Sequence, residues 1–224
     1  PVIVVYVSGS PIAEPWLEQR AKAIVNAWEP GAFGGQAVAE ILTGEVNPSG
    51  KLPLTIPRSV GQLQMVYNHK PTAYIHKYNT EKKVPLHPFG FGLSYSKFEL
   101  SKPTVSKSVF NGIDDLITVA VNIKNSSNID GDEVVQMYIR DNRSSYTRPV
   151  KELKGYKRVF VKAGETKTVE IPISAESLAM YDKDFNFVVE PGEFTIMTGN
   201  SSANKALKET IISVSELITL DKVK

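Results

Sequence analysis

The order of amino acids predicts an α/β fragment, part of an α/β sandwich, followed by an all-β sandwich. Three observations carry this. The first 58 residues hold a continuous apolar run and two helix-like segments. Residues 59–95 show almost no apolar periodicity. From residue 96 onward, alternation with a period of two recurs between turn signals.

Residues 2–7, Val-Ile-Val-Val-Tyr-Val, are apolar in succession, which suits a strand covered on both faces of a parallel sheet. Ser8-Gly9-Ser10-Pro11 ends it with a turn cluster. Pro15 fits the first turn of a helix. Leu17, Ala21, Ile24, Val25 and Trp28 then fall on one helical face. Pro30-Gly31 stops that helix. Gly34-Gly35 opens another, with Val38, Ile41 and Leu42 on one side and Gly44 as its stop. Asn47-Pro48-Ser49-Gly50 reads as a turn and residues 52–56 as a short strand. The expected order is β-α-α-β. So few elements cannot close a core of their own, so residues 1–58 are expected to be a piece of an α/β layer cut from a longer chain.

Residues 59–95 contain all three histidines, His69, His76 and His87, and several tyrosines. A structureless loop this long is unusual inside a compact domain. The expectation is an extended connector, lying on other parts of the protein and held by its aromatic residues. In residues 96–224, Ile117, Val119, Val121 and Ile123 alternate with Thr118, Ala120, Asn122 and Lys124. Val135, Met137 and Ile139 alternate with Gln136, Tyr138 and Arg140, and Val169, Ile171 and Ile173 with Thr168, Glu170 and Pro172. Phe194, Ile196 and Thr198 form a further set. Asp130-Gly131, Ala163-Gly164 and Pro191-Gly192 punctuate them. About seven short strands at this spacing predict an immunoglobulin- or fibronectin type III-like sandwich. Residues 216–224 are expected to fray.

Composition removes several function classes. The net charge of +2, with scattered basic residues, argues against nucleic acid as the main partner. No segment approaches the roughly 18 consecutive apolar residues of a membrane span. The absence of cysteine excludes disulfides, thiolate metal sites and a cysteine nucleophile. Asn125, Asn142 and Asn200 open Asn-x-Ser triplets, which chance alone supplies often.

A series of strings along the chain then carries a likeness. Ala27-Trp28-Glu29-Pro30-Gly31-Ala32-Phe33-Gly34-Gly35 is followed by Asn47-Pro48-Ser49-Gly50-Lys51-Leu52-Pro53. Pro57-Arg58-Ser59-Val60-Gly61-Gln62-Leu63, Tyr67-Asn68-His69-Lys70-Pro71 and Pro88-Phe89-Gly90-Phe91-Gly92-Leu93-Ser94-Tyr95 come next. Gly131-Asp132-Glu133-Val134-Val135-Gln136-Met137-Tyr138, Arg148-Pro149-Val150-Lys151-Glu152-Leu153-Lys154-Gly155 and Glu190-Pro191-Gly192-Glu193-Phe194 complete the set. In order and nearly end to end, the chain resembles the C-terminal portion of glycoside hydrolase family 3, the β-glucosidase-like enzymes. Ala32-Phe33 departs from the polar or acidic pair that many members carry.

The resemblance implies a parent enzyme with a (β/α) barrel, an α/β sandwich and a fibronectin III-like domain. Residues 1–58 would end the α/β sandwich, 59–95 would be the connector and 96–224 the third domain. It implies a retaining, exo-acting β-glycosidase that removes terminal β-D-glucosyl residues, with xylose the nearest alternative sugar. The partners implied are the rest of the parent enzyme and a β-linked oligosaccharide or glucoside, with no cofactor or metal. The nucleophile Asp and the acid/base Glu are expected upstream of Pro1, so no residue of this chain is assigned a catalytic role. Members with the third domain are often periplasmic or extracellular.

Other residues carry weaker chemical signals. Glu14, Glu18, Glu29, Glu40 and Glu45 lie on or beside predicted helices, where carboxylates are usually solvated or cap an N-terminus. Asp182-x-Asp184-x-Asn186 with Glu193 matches part of a calcium loop, but Phe187 stands where that loop needs Gly, so a polar turn between strands is expected. Gly90-Phe91-Gly92 lacks the third Gly of a dinucleotide loop, and close backbone packing is expected instead. The three histidines lack metal-ligand spacing. The stretch 67–70 is a candidate for an active-site rim. Trp16 and Trp28 are expected to pack inward rather than stack on sugar. The alternative function is a carbohydrate-binding or protein-docking sandwich, which would align some of Tyr138, Tyr146, Tyr156, Phe160, Tyr181, Phe185, Phe187 and Phe194 on one exposed face.

Overall fold

The computed structural model describes residues 1–62, 65–71 and 80–220. His76 and the expected frayed residues 221–224 lie outside them. Strand β1 (Ile3–Val7) pairs in parallel with β2 (Ala23–Trp28), in the register Ile3 to Ala23 through Tyr6 to Asn26. Between them is a single helical turn, α1 (Pro15–Glu18), with Pro15 at its start. Helix α2 (Gly34–Thr43) follows and ends at Gly44.

Three expectations for this part are corrected. The face expected to make one helix from Pro15 to Trp28 is split between α1 and β2. Adjacent Ile24-Val25 suits a strand as well as a helix, and the ladder offered by β1 decides it. Residues 52–56 form no strand, only a single bridge from Ile56 to His87, because Pro53 and Pro57 cannot donate to a ladder. Among the described residues strand β1 pairs with β2 alone, and Ile3 is 50% and Val7 66% exposed, so the two-sided cover expected for this strand is not supplied by these residues. Trp16 is also exposed rather than packed inward: Arg20 lies over its ring and its Nε1–H donates to Glu14.

The rest of the chain is a β-sandwich. One sheet has the order β5 (Val109–Phe110), β13 (Lys208–Val214), β12 (Gly192–Gly199), β7 (Gly131–Asp141), β8 (Glu152–Val161). The other is built on β6 (Ile117–Asn125), which takes β3 (Phe98–Leu100) and β4 (Thr104–Val105) along one side and β9 (Thr166–Ile173) along the other. A small sheet joins β10 (Met180–Tyr181), β11 (Phe187–Val189) and β14 (Ile218–Leu220) beside the one-turn helix α3 (Ala175–Leu178). The expected fraying from residue 216 is corrected at β14, where Ile218 and Leu220 are paired and buried.

Alternation places Val119, Val121 and Ile123 of β6 opposite Val135, Met137 and Ile139 of β7, with Val169, Ile171, Phe194, Ile196 and Ile212 closing the core. Pro172 faces outward on β9, which has β6 as its one partner and so can spare an N–H. Strand β7 departs from simple alternation, because Gln136 and Tyr138 are buried along with Met137 and Ile139. Something covers the outer face of this sheet.

Candidate functional site

That cover is the chain's own connecting segment. The Tyr67 ring stacks on Phe89 at 4.3 Å and meets the edge of Tyr138 at 5.7 Å, while its hydroxyl accepts from Leu153 N–H at 3.2 Å. Val150 N–H donates to the His69 carbonyl and Ser202 N–H to the Phe89 carbonyl. The aromatic hold expected for the connector is thus present, on the outside of β7 and β8.

Beneath it runs a buried polar seam. Gln136 Nε2 donates to the carbonyls of Gly90 (3.0 Å) and Asn200 (3.1 Å), and its Oε1 accepts from the Tyr138 hydroxyl at 2.5 Å. Burial pushes the Tyr138 phenol well above its ordinary value, and Tyr67 adds to this. Gly90 sits at φ +76, and a Cβ there would fall 2.1 Å from Gln136 Oε1. Gly92 needs no unusual φ; a Cβ there would fall 2.0 Å from the Gly50 carbonyl oxygen. The Gly90-Phe91-Gly92 string therefore does what was expected, close backbone packing.

The turn at residues 47–51 locks into the same seam. Asn47 donates to Ser96 Oγ and the Asp130 carbonyl, and its Oδ1 accepts from Ser94 Oγ and Tyr95 N–H. Lys51 Nζ lies 2.6 Å from Glu133 Oε1 and donates to the Gly92 carbonyl, with the two side chains only 10% and 4% exposed. Lys151 Nζ donates to the Ser202 carbonyl and Asn204 Oδ1; burial pushes its ammonium below the ordinary lysine value, with Glu209 pulling partly back. Each buried charge or amide here has a partner, which removes the penalty of leaving it alone.

The carboxylates on or beside the predicted helices lie elsewhere. Glu14 and Glu18 sit near Tyr6, and burial, then Glu18, then Glu14, push the Tyr6 phenol upward. Glu18 meets His87 Nε2 at 2.8 Å, and the His87 ring stacks on Phe91. Glu40 accepts from Gln36, and Glu29 packs against Gly9. Asp182 closes the β10–β11 turn by accepting from the Asp184 and Asn186 backbone N–H groups, and Phe185 takes φ +60 at its tip. This is the polar turn expected in place of a calcium loop, and among the described residues no cluster suited to a metal occurs. Asn125 is fully buried with both side-chain atoms bonded. Of the aromatic residues that the alternative function would align, Tyr138 and Phe194 are buried, Tyr156 and Phe160 are exposed on β8, and Tyr181 of β10 and Phe185 of the β10–β11 turn are exposed beside the small sheet.

Sequence reasoning missed the seam residues Lys51, Glu133 and Gln136. One signal was available: Glu133 shares the inward phase of Val135 and Met137, so its charge had to be buried and paired.

Known proteins share this architecture. Residues 1–95 match the Glycosyl hydrolase family 3 C-terminal domain, and residues 133–202 match the Fibronectin type III-like domain. A periplasmic β-glucosidase from Salmonella typhimurium is 40% identical over 213 residues, covering 91% of this chain and 28% of its own length. A β-xylosidase from Formosa agariphila is 40% identical, covering 96% of this chain and 30% of its own length. The solved structure of a β-glucosidase from Erythrobacter marinus superposes with a TM-score of 0.89 at 41% identity, over 95% of this chain and 28% of that one. The chain therefore spans under a third of the length of these relatives. Motifs, fold and matches agree that the chain belongs to glycoside hydrolase family 3, of which it carries the C-terminal portion: the end of the α/β domain and the fibronectin type III-like sandwich.

Proposed function

We propose that this chain is the scaffold of a retaining, exo-acting β-glycosidase that releases terminal non-reducing β-D-glucosyl residues. Its partners are the rest of the parent enzyme and a β-linked oligosaccharide or glucoside. The observation that carries the scaffold reading is the buried seam through Asn47, Lys51, Glu133 and Gln136, which ties residues 47–96 to the sandwich. A retaining mechanism needs two carboxylates roughly 5 Å apart. Glu14, Glu18 and Glu40, considered for such a pair, are occupied in local contacts. By the family resemblance, the nucleophile Asp and the acid/base Glu belong to the part of the parent enzyme upstream of Pro1, and residues 1–58, 59–95 and 96–224 serve as α/β end, connector and third domain. The β-glucosidase names among the relatives support glucose, and the periplasmic relative supports export to the periplasm or beyond. Among the described residues no helix is long and apolar enough to cross a membrane.

The alternative, a sandwich that binds carbohydrate or protein across a sheet face, loses support where the connector covers Gln136 and Tyr138 on the outer face of β7. The test is hydrolysis of an aryl β-glucoside and an aryl β-xyloside by the full-length parent and by the 224 residues alone. Turnover by the parent only, with glucoside preferred, is the expected result. Turnover by the 224 residues would refute the scaffold role, and preference for xyloside would replace the sugar.

A further inference from the structure

We infer that Asn111 is a site of spontaneous covalent modification, where the side chain reacts with the Gly112 backbone to give aspartate and isoaspartate, and that this loosens the β5 edge of the sandwich. Asn111-Gly112 is the one Asn-Gly pair in the sequence. Glycine has no Cβ, so its backbone nitrogen approaches the preceding side chain with the least hindrance.

The fold leaves that approach open. Asn111 follows β5 directly, is exposed, and begins the turn that leads to β6. Among the described residues the Gly112 N–H donates to no acceptor, while its carbonyl accepts from Asp115 N–H at 3.1 Å. A Cβ on Gly112 would meet nothing within 4 Å. Ser215 Oγ–H donates to Asn111 Oδ1 at 3.4 Å, the oxygen that gains negative charge when Cγ is attacked. Other asparagines lack this combination. Pro48 has no N–H with which to attack Asn47, and Asn125 is fully buried with its side-chain atoms bonded.

The reaction needs only water. Hydroxide takes the Gly112 amide proton, and the nitrogen forms a bond to Asn111 Cγ. The Cγ–Nδ2 bond breaks, and the leaving group takes a proton from water and departs as ammonia. Water then adds to the cyclic imide. Opening at Cγ gives aspartate, whereas opening at the main-chain carbonyl gives isoaspartate, with the chain running through Cγ. Isoaspartate adds a methylene to the main chain, and either product adds a carboxylate. Asn111 N–H donates to Asp115 Oδ2 at 2.9 Å, and Asp115 also pairs with Lys107, so the new charge falls beside an existing one. The preceding residue, Phe110, is fully buried, and β5 joins β13 only through the pairs Val109–Ser213 and Phe110–Val214 and the bond from Ser213 N–H to the Ser108 carbonyl. So short an edge strand yields readily to a shift in the turn beside it.

The folded 224-residue chain, its folding verified by a cooperative thermal melt, is incubated for days at neutral and mildly alkaline pH and mapped by peptide mass spectrometry. Asn111 should convert about ten-fold or more faster than Asn125, whose reaction requires the fold to open. The rate should rise with pH, and an isoaspartate methyltransferase should label the modified peptide. Gly112→Ala, for which there is room, should melt as the parent chain does and convert several-fold more slowly. The isoaspartate form should exchange amide hydrogens about two-fold or more faster in peptides covering residues 106–116. An Asn111 that stays intact in the folded chain overturns the assignment, whether or not it converts in urea. Conversion of Gly112→Ala at the parent rate overturns the role given to the Gly112 nitrogen, and equal exchange in modified and unmodified chains overturns the loosening of β5.

Discussion

Replacing Glu133 with Ala should strand the Lys51 ammonium in a nearly dry seam. The pair is 2.6 Å apart, with side chains 10% and 4% exposed, so bulk water cannot take over the role of the lost carboxylate. Removing one member of such a pair costs about 3–5 kcal/mol. Glu133 Oε1 also accepts from Val134 N–H, which adds to the loss. For a chain of this size the cost corresponds to a drop in Tm of about 6–20 °C. Lys51→Met should cost a similar amount, because it leaves Glu133 charged and buried. Lys51→Met/Glu133→Leu should recover most of the loss, since a buried ion pair exchanged for apolar groups of similar volume is often neutral. Chemical denaturation of the four chains closes the cycle. It should be repeated in about 1 M salt, where an exposed pair would lose its coupling. Single-variant costs below about 1 kcal/mol, or a coupling erased by salt, would match an exposed pair and refute the buried seam.

Further outcomes follow from neighbouring contacts. Gly92→Ala should destabilise by about 1–3 kcal/mol, because its Cβ would fall 2.0 Å from the Gly50 carbonyl oxygen; an unchanged denaturation midpoint would mean that the two backbones separate freely. Tyr138→Phe should cost about 1–3 kcal/mol by leaving Gln136 Oε1 without its 2.5 Å donor, and a loss of only a few tenths would place solvent at that amide. Burial, reinforced by Glu190, pushes the Asp141 carboxyl above its ordinary 3.8, against the Arg143 N–H, Arg148 and Ser144. The folded state then holds this proton more tightly than the unfolded one. Stability relative to Asp141→Asn should rise as pH falls through the raised value, level off below 3.8, and be lost again toward neutral pH. Thermal melts of both chains across that range measure the gap, and a gap that shrinks on acidification would reverse the assigned sign.

The sandwich was legible in the sequence because its central strands each expose one face to the core. Ile117 to Ile123 and Val169 to Ile173 alternate in the structure as they do in the chain. The short strands β3, β4, β5, β10, β11 and β14 are too brief to carry a period, and β14 was expected to fray. Residues 15–28 show the limit of periodicity itself. Leu17, Ala21, Ile24, Val25 and Trp28 satisfy a helical spacing, yet a parallel partner of five residues, β1, converts the second half to strand. The family motifs were visible as strings, but their physical purpose was not. Asn47, Lys51, Gly90 and Gly92 mean little until Ser96, Glu133, Gln136 and Gly50 are brought to them from elsewhere in the chain. Sequence by itself determined the architecture, through local pattern and chain-order motifs. Tertiary structure alone decided the seam, because burial and donor–acceptor pairing depend on residues distant in sequence meeting in space.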